Sequence, residues 1–301
     1  MTCGRPFASS IGLCWPALTR DHPRRPLRSR AFGHNRAMMR TANRPLSSST
    51  RLFELPCSER VRTMMRFECL AHRLEALMEE TSEHAHLEWL RVQFELYDLL
   101  STRSDIKHEL LQELERQRQQ LARFQGEPGV ALEKLEEVLS QVNHLHERLA
   151  DAPTRMGPHL AEIDFLTALK GRSSIPAGAC PFDMPVLYAW LLRAPEQRQA
   201  NMHEWLDHLR PILSAARLSL RLIREVADPT SQIAEEGRFE MNPNGRQARL
   251  IRVWVESDRE LICDMSANKF TVAVRFRTIN QLLQPETLSE PVPFQIALCE
   301  F

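Results

Sequence analysis

Hydrophobic residues recur at three- and four-residue spacing from about residue 58 to residue 227, a pattern that predicts consecutive amphipathic helices. Ser58 precedes the first run with a side chain suited to an N-cap, and this helix is expected to end near Glu79. Asp183 followed by Pro185 predicts the start of a short helix, because proline is favoured in the first helical turn. Other helices are expected over about 84–100, 106–121, 132–149 and 160–170.

Two of these segments lead to more specific expectations. In the third helix Ile106, Leu110 and Leu114 form an apolar stripe. The side chains expected to face solvent on this helix are Glu109, Glu113, Arg116 and Arg118. Residues 195–227 are expected to form one long helix, with a bend at Pro211.

Beyond Pro229 the hydrophobic pattern has a period of two residues, which is typical of strands with one buried face. Short strands are expected near 239–241, 250–256, 261–265, 270–277 and 294–301. In the fourth of these, Arg275 and Arg277 fall on the side away from the apolar residues. The fold class is therefore α+β, an N-terminal all-helical domain followed by a small antiparallel β-sheet domain.

The first fifty residues differ in kind from the rest of the chain. They hold nine arginines and one acidic residue, whereas residues 51–301 hold 30 basic and 38 acidic residues. The segment lacks a helical or strand pattern and is expected to be a disordered extension. It is interpreted either as a transit peptide or as the result of a start codon assigned too far upstream, in which case Met38 or Met39 is the true start. A secretory signal is disfavoured by Pro16. The expected domains are 1–50, 51–228 and 229–301.

Composition disfavours several functional classes. The chain has only 10 glycines for phosphate-binding loops, and its 7 scattered cysteines include no C-x-x-C pair, which fits a reducing cytoplasm. No apolar run approaches the 18 or so residues of a membrane span, so no membrane insertion is expected. Residues 51–301 have an excess of acidic residues, which argues against nucleic acid as a partner.

No catalytic motif stands out in the sequence. The chain is therefore expected not to be an enzyme and not to use a cofactor. Cys180 is the main residue on which an enzymatic alternative could rest. Histidines two residues apart on a helix point to different sides and cannot chelate a metal together. The pairs His84/His86 and His144/His146 are therefore expected to be surface or cap residues, with no metal site.

Arginine is the more informative residue type, because a planar guanidinium group can bind a carboxylate through two hydrogen bonds. Basic residues on the first helix, beside the third helix and on the late strand could converge on an acidic peptide. The alternative is a solvated face on which these charges offset neighbouring glutamates. The candidates are Arg60, Arg62, Arg66, Arg103, Lys107, Arg116, Arg118, Arg275 and Arg277.

Four motifs in one order across residues 51–301 resemble the ZapD family of Z-ring-associated cell division proteins. They are L-F-E-x-P-x-x-E-R-x-R-T-x-x-R over residues 52–66, G-x-P-G-V over 126–130, S-I-P-x-G-x-C-x-F-D-x-P over 174–185, and Arg275-Phe276. The resemblance implies a non-enzymatic, cytoplasmic bacterial protein at the midcell division site. It further implies a homodimer that binds the C-terminal tail of FtsZ and bundles FtsZ filaments in the Z-ring.

The resemblance also suggests binding residues. The basic groove of the family corresponds here to Arg66, Arg103 and Arg275. This sequence has Asp164, Tyr188 and Thr271 where the family pattern leads one to expect basic residues or histidine. Lys107, Arg116 and Arg277 are local substitutes that could restore positive charge. The functional alternatives are a helical scaffold or adaptor for another acidic peptide, and an enzyme with a site near Cys180.

Overall fold

The computed structural model describes residues 50–103, 105–127, 130–153, 162–256 and 260–301. Within these ranges eight helices lie between Glu59 and Glu225, and most strands of the antiparallel sheets follow, as the α+β class predicts. The helices are α1 Glu59–Met78, α2 Glu83–Ser101, α3 Ile106–Ala122, α4 Leu132–Asp151, α5 Asp164–Arg172, α6 Pro185–Leu191, α7 Pro195–Asp207 and α8 Arg210–Glu225.

Serine caps fix the starts of the first two helices. The Ser58 hydroxyl accepts a hydrogen bond from the Val61 amide at 3.3 Å, which confirms the predicted N-cap of α1. Ser82 caps α2 in the same way through the Ala85 amide at 3.1 Å. Each hydroxyl thus satisfies one of the amides that have no partner in a first helical turn.

One of the helix predictions was wrong in detail. The segment expected as one helix bent at Pro211 is two helices, because α7 ends at Asp207 and α8 begins at Arg210. Pro211 lies in the first turn of α8, where its missing amide costs no helical hydrogen bond. The short helix that Asp183 and Pro185 predicted is α6, and Pro185 is its first residue. The helix expected from residue 160 begins at Asp164 within the described chain.

The strands form two antiparallel sheets instead of the single sheet that was expected. One sheet has the order β1-β4-β8-β2, and the other has the order β3-β6-β5 with β7 also paired to β6. Their bounds are β1 Thr50–Pro56, β2 Thr230–Ala234, β3 Arg238–Met241, β4 Leu250–Glu256, β5 Leu261–Ala267, β6 Val272–Ile279, β7 Pro285–Thr287 and β8 Val292–Cys299.

The two sheets share one apolar core. Val274 and Phe276 of β6 are buried in the same cluster as Val253 of β4 and Phe294 of β8. The rings of Phe276 and Phe294 meet edge to face, with their centroids 5.2 Å apart. The period-two hydrophobic pattern arises because alternate residues of each strand fill the space between the two sheets. β6 begins at Val272, and Phe270, which was expected in the strand, is 64% exposed.

Strand β1 precedes the helices but belongs to the sheets. It pairs with β4 in a register that runs from Thr50 opposite Glu256 to Pro56 opposite Leu250. The proposed helical domain, residues 51–228, thus begins with a strand that is paired with the proposed β-domain, residues 229–301. The prediction that residues 1–50 are a disordered extension lies outside the described residues except for Thr50.

The first sheet is joined to the helices by apolar contacts and by ion pairs. Leu250, Cys299 and Phe301 are buried in the same core cluster as the helices. Arg224 of α8 binds Glu54 of β1 with distances of 2.9 and 2.7 Å, and it also binds Glu68 of α1 at 2.7 Å. These contacts hold the middle of α1 and the end of α8 against the sheet.

Candidate partner-binding surface

The first two turns of α1 present a carboxylate beside two arginines. Glu59, Arg62 and Arg66 share one side of the helix because they are three and four residues apart. The distance from Arg62 Nε to Glu59 Oε2 is 3.3 Å, and that from Arg66 Nη1 to Glu59 Oε1 is 3.7 Å. All three side chains are exposed.

Arg103, which follows α2, brings a third guanidinium group to Glu59, with Nη1 3.8 Å from Oε1. Arg103 is held more firmly by Glu109 of α3, whose two carboxylate oxygens lie 3.0 and 2.9 Å from Nη2. It also donates to the Thr63 hydroxyl at 3.2 Å. The structure therefore brings the predicted residues Arg66 and Arg103 together. We call Glu59, Arg62, Arg66 and Arg103 the Glu59 cluster.

A second group of arginines surrounds Glu113, one turn beyond Glu109 on α3. Both carboxylate oxygens of Glu113 accept hydrogen bonds from Arg249, at 2.7 and 2.8 Å. Arg116 donates to the same carboxylate at 2.7 Å and Arg60 donates at 3.4 Å. The prediction that Glu113 faces solvent was wrong, since its side chain is fully buried. We call Glu113, Arg60, Arg116 and Arg249 the Glu113 cluster.

The environment of Glu113 keeps its carboxylate ionised. Burial is the largest effect and would raise its pKa. Hydrogen bonds from Arg249 and Arg116 and the charges of both groups oppose burial, and the pKa of Glu113 lies below its ordinary value. With three guanidinium groups around one carboxylate, the Glu113 cluster keeps a positive excess next to the Glu59 cluster.

Lys107 has a different position from the one expected for a groove residue. Its ammonium group donates to the backbone carbonyls of Ala150, at 2.8 Å, and of Ala152. These carbonyls lie at the C-terminal end of α4, where a positive charge is stabilised by the helix dipole. Lys107 therefore joins α3 to the end of α4, and two of its three N–H donors are occupied.

Arg275 and Arg277 lie on the outer face of β6, as the strand pattern predicted. Arg277 forms an ion pair with Asp264 of β5. Arg275 is exposed and lies opposite Arg238 of β3 in the strand register. Within the described ranges no ion pair or hydrogen bond joins these two arginines to the Glu59 or Glu113 clusters, so the contacts do not place all six predicted residues in one network.

The residues that depart from the family pattern lie at the surface or near it. Asp164 is the first residue of α5 and Tyr188 belongs to α6, and both are exposed. Thr271 precedes β6 and is half-buried. No hydrogen bond or ion pair connects these three side chains to either arginine cluster in the described part of the chain.

Arg249 is the residue that sequence reasoning missed. It immediately precedes β4, and the alternation of that strand gives no sign that its side chain reaches α3. Arg60 and Arg62 were among the wider candidates, and their position in the first turns of α1 was the signal that could have selected them. Glu59 was included only as part of the motif over residues 52–66.

His86 is another correction, because it is neither a surface residue nor a helix cap. It is fully buried in α2, where its Nε2 lies 2.8 Å from the Glu80 carbonyl oxygen. Burial lowers the pKa of His86 and the nearby Arg198 charge adds to this effect, although the bond to Glu80 opposes it. In the described ranges no group of three or more histidine, cysteine, aspartate or glutamate side chains is placed so that it could hold a metal ion.

Cys180, the residue of the enzymatic alternative, is half-buried in the turn before α6. Its backbone forms the turn, since its amide donates to the Ala177 carbonyl at 3.1 Å and its carbonyl accepts from Met184 at 3.0 Å. Within the described ranges no basic side chain forms a hydrogen bond with its thiol.

Comparison with known proteins identifies the family. The family model of the cell division protein ZapD matches residues 65–275. The cell division protein ZapD of Janthinobacterium sp. (strain Marseille) is 34% identical over 250 residues, which are 83% of this chain and 99% of the relative. The chain belongs to the ZapD family. Membership of the ZapD family gives it a role in cell division.

The match to the ZapD family covers the helices and the sheets alike. Residues 65–275 run from α1 into β6 and include Arg66, Arg103, Lys107, Arg116 and Arg275. None of the helices in the described ranges is both long and apolar enough to cross a membrane.

Proposed function

We propose that this member of the ZapD family is a non-enzymatic factor that binds the C-terminal tail of FtsZ and cross-links FtsZ filaments. The observation that carries the proposal is the convergence of Arg66 and Arg103 on one exposed carboxylate, in a chain whose family acts in cell division. Guanidinium groups that already face a carboxylate are suited to bind the acidic side chains of a peptide.

Filament bundling requires two tail sites in one particle. A homodimer supplies two identical sites by symmetry, and a filament presents many tails. Once one tail is bound, the second binding event has a high effective concentration, so a weak single contact is converted into stable bundling. The protein would act in the cytoplasm, where FtsZ filaments assemble at midcell.

The two arginine clusters would form the central part of the tail site. Arg66 is 56% exposed and can turn towards a peptide, whereas Arg103 is fixed by Glu109 and would provide a rigid contact. Arg116 adds positive charge from the Glu113 cluster. Arg275 on the sheet would contact a further part of the same peptide or a different one, and Arg277 and Lys107 would contribute charge without leaving their present partners.

The proposal is tested by low-speed co-sedimentation of the full chain with FtsZ filaments assembled with GTP. Full-length FtsZ should enter the pellet with the protein, while FtsZ without its C-terminal tail should remain in the supernatant. Pelleting that does not depend on the tail would favour an adaptor for another acidic peptide. Absence of pelleting from a folded dimer would contradict the proposal.

Reversal of the Arg66 charge tests whether this residue belongs to the proposed binding site. Arg66→Glu should reduce pelleting at least tenfold while helicity stays unchanged, because it places a negative charge where the peptide carboxylate would bind. Arg91→Glu is the matched control, since Arg91 is also 56% exposed on a helix and also faces a glutamate, Glu88. Equal loss in both variants would show a general charge effect and would contradict a site at Arg66.

A further inference from the structure

Glu59 is held loosely by comparison with the other carboxylates that bind arginine in this region. Its contacts to Arg62, Arg66 and Arg103 measure 3.3, 3.7 and 3.8 Å, and 58% of its side chain is exposed. Glu109 binds Arg103 through two contacts of 3.0 and 2.9 Å and is 20% exposed. The carboxylate of Glu59 therefore faces three guanidinium groups without a close hydrogen bond to any of the three.

The position of Glu59 at a helix start stabilises its carboxylate beside the arginines. Glu59 is the first residue of α1, directly after the Ser58 cap, where the partial positive charge of the helix start favours an acidic side chain. The three arginines add to that preference. Exposed ion pairs of this length contribute little free energy, so a ligand with better geometry can displace the glutamate.

We propose that Glu59 occupies the place of the incoming partner's carboxylate and so acts as an internal competitor that sets the affinity of the arginine site. This inference rests on the proposed function and adds two residues to it, Glu59 as the competitor and Arg62 as a further ligand of the partner. A peptide carboxylate that binds Nε of Arg62 or Nη1 of Arg66 competes with Glu59 for the same atoms, because these are the nitrogens that face the Glu59 carboxylate.

A weakened single site suits a protein that binds a polymer. If one tail were bound very tightly, each protein molecule would stay on one tail, and cross-links could not rearrange. An internal carboxylate keeps the single contact weak, while the avidity of two sites on a filament still gives strong binding. The chemical class that fits the site is an acidic peptide, because the arginines of this region bind carboxylates in the structure.

The experiment is fluorescence anisotropy of two labelled peptides, the FtsZ C-terminal tail and hexaglutamate, with the full chain at low and moderate salt. Glu59→Gln should tighten the binding of both peptides about two- to fivefold, which is the range expected when an exposed ion pair no longer competes. Arg62→Gln should weaken the binding of both peptides. The effect of Glu59→Gln should shrink as salt increases, because the competition is electrostatic.

Glu83→Gln is the matched control. Glu83 is also exposed and is also the first residue of a helix after a serine cap, and within the described ranges it forms no ion pair with an arginine. It changes the net charge and the helix start by the same amount as Glu59→Gln. Affinity should not change in Glu83→Gln, and circular dichroism should show equal helicity for both variants.

A double variant shows whether the arginines transmit the effect. The gain in affinity from Glu59→Gln should be lost when Arg66→Gln is also present. Without Arg66 there is less positive charge for Glu59 to mask, so removal of Glu59 has less effect. If Glu59→Gln leaves the affinity of both peptides unchanged or lowers it, the inference is overturned. The same holds if neither peptide binds even to Glu59→Gln.

The two peptides separate this inference from the proposed function. If hexaglutamate binding tightens in Glu59→Gln but the FtsZ tail binds to no variant, Glu59 is a competitor and FtsZ is the wrong partner. If the tail binds to the wild-type chain and Glu59→Gln binds neither peptide more tightly, the proposed function stands and the role of Glu59 is refuted.

Discussion

Glu113 shows how much one buried residue can do when several partners depend on it. Its carboxylate is the common acceptor of Arg60, Arg116 and Arg249, which come from α1, α3 and the residue before β4. Glu113→Gln would leave three guanidinium groups facing one another without a compensating charge. We expect a loss of about 3 kcal/mol in the free energy of unfolding at neutral pH, measured by urea denaturation.

The loss should depend on pH in a defined direction. The pKa of Glu113 in the folded chain lies below its usual value of 4.5, so its carboxylate stabilises the fold above that pH. This stabilisation disappears as the pH falls through the lowered pKa, and the difference between wild type and Glu113→Gln should narrow there. Glu115→Gln is the control, because Glu115 forms an exposed pair with Arg118 and should change stability much less than Glu113→Gln. A difference that widens in acid would contradict this account.

Burial of single polar residues was the least predictable property of the sequence. Glu113 and His86 both lie on helices that the hydrophobic pattern predicted, yet both are fully buried. Periodicity assigns a polar residue to the solvent side unless a partner is known. One partner of Glu113 is Arg249, which is 136 residues away in the sequence, so no local pattern could reveal that contact.

The helices were largely predictable because their evidence is local. The hydrophobic stripe and the Ser58 cap placed α1 correctly, and α4 was found from its stripe between Leu132 and Leu149. The break between α7 and α8 was missed, since Pro211 suggested a bend at the proline when the helix in fact ends before it. Strand β1 was missed as well, because seven residues carry little pattern and its partner β4 is remote.

Arg224 is the residue through which elements α1, α8 and β1 depend on one another. Arg224→Gln would leave Glu54 and Glu68 without their shared partner, although Arg252 would still bind Glu54 at 2.8 Å. We expect a loss of about 3 kcal/mol in unfolding free energy. Backbone amides of β1 should exchange with deuterium faster than in the wild type, which hydrogen exchange with mass spectrometry would measure.

Arg221→Gln is the comparison on the same helix. Arg221 is exposed and binds the side chain of Gln141 at 2.6 Å. Its removal should leave the deuterium exchange of β1 amides unchanged and should alter the free energy of unfolding by no more than about 1 kcal/mol. If Arg224→Gln left β1 exchange unchanged, the ion pairs of Arg224 would not be what holds this strand to the helices.

In the whole molecule, the last residue of the sequence links the sheet to the helices. Phe301 is buried in the helical core, its carbonyl accepts a hydrogen bond from Arg249 at 2.9 Å, and the Arg116 guanidinium lies 5.8 Å from its ring centroid. Phe301→Ala should cost about 3 to 5 kcal/mol in unfolding free energy. It should also expose the neighbouring Cys299, whose pKa burial raises to about 12, and speed its reaction with a thiol reagent.

Leu283→Ala serves as the control for Phe301→Ala, because Leu283 is 80% exposed and should contribute little to stability. Mass spectrometry after thiol labelling distinguishes Cys299 from the exposed Cys57 and Cys69, which should react in the wild-type chain. Unchanged labelling of Cys299 in Phe301→Ala would show that Phe301 does not shield it.

Only some residues of the candidate site were predictable from the sequence, and their arrangement was not. The resemblance to the family selected Arg66 and Arg103, and both lie at the Glu59 cluster. The same reasoning could not show that Lys107 is engaged at the end of α4, or that a glutamate already occupies the arginines. Such facts depend on how separate elements pack, and a single sequence does not contain that information in any one segment.

The pairing of β1 with β4 affects how the chain folds during its synthesis on the ribosome. Glu54 and its cross-strand partner Arg252 are 198 residues apart, so β1 leaves the ribosome long before β4 exists. Helices that are neighbours in the sequence, such as α1 with α2 and α3 with α4, can pack in the meantime because their contacts are local. A nascent chain therefore carries an unpaired strand during most of its synthesis, and strand exchange between neighbouring chains on one messenger RNA is the misassembly that this chain order favours.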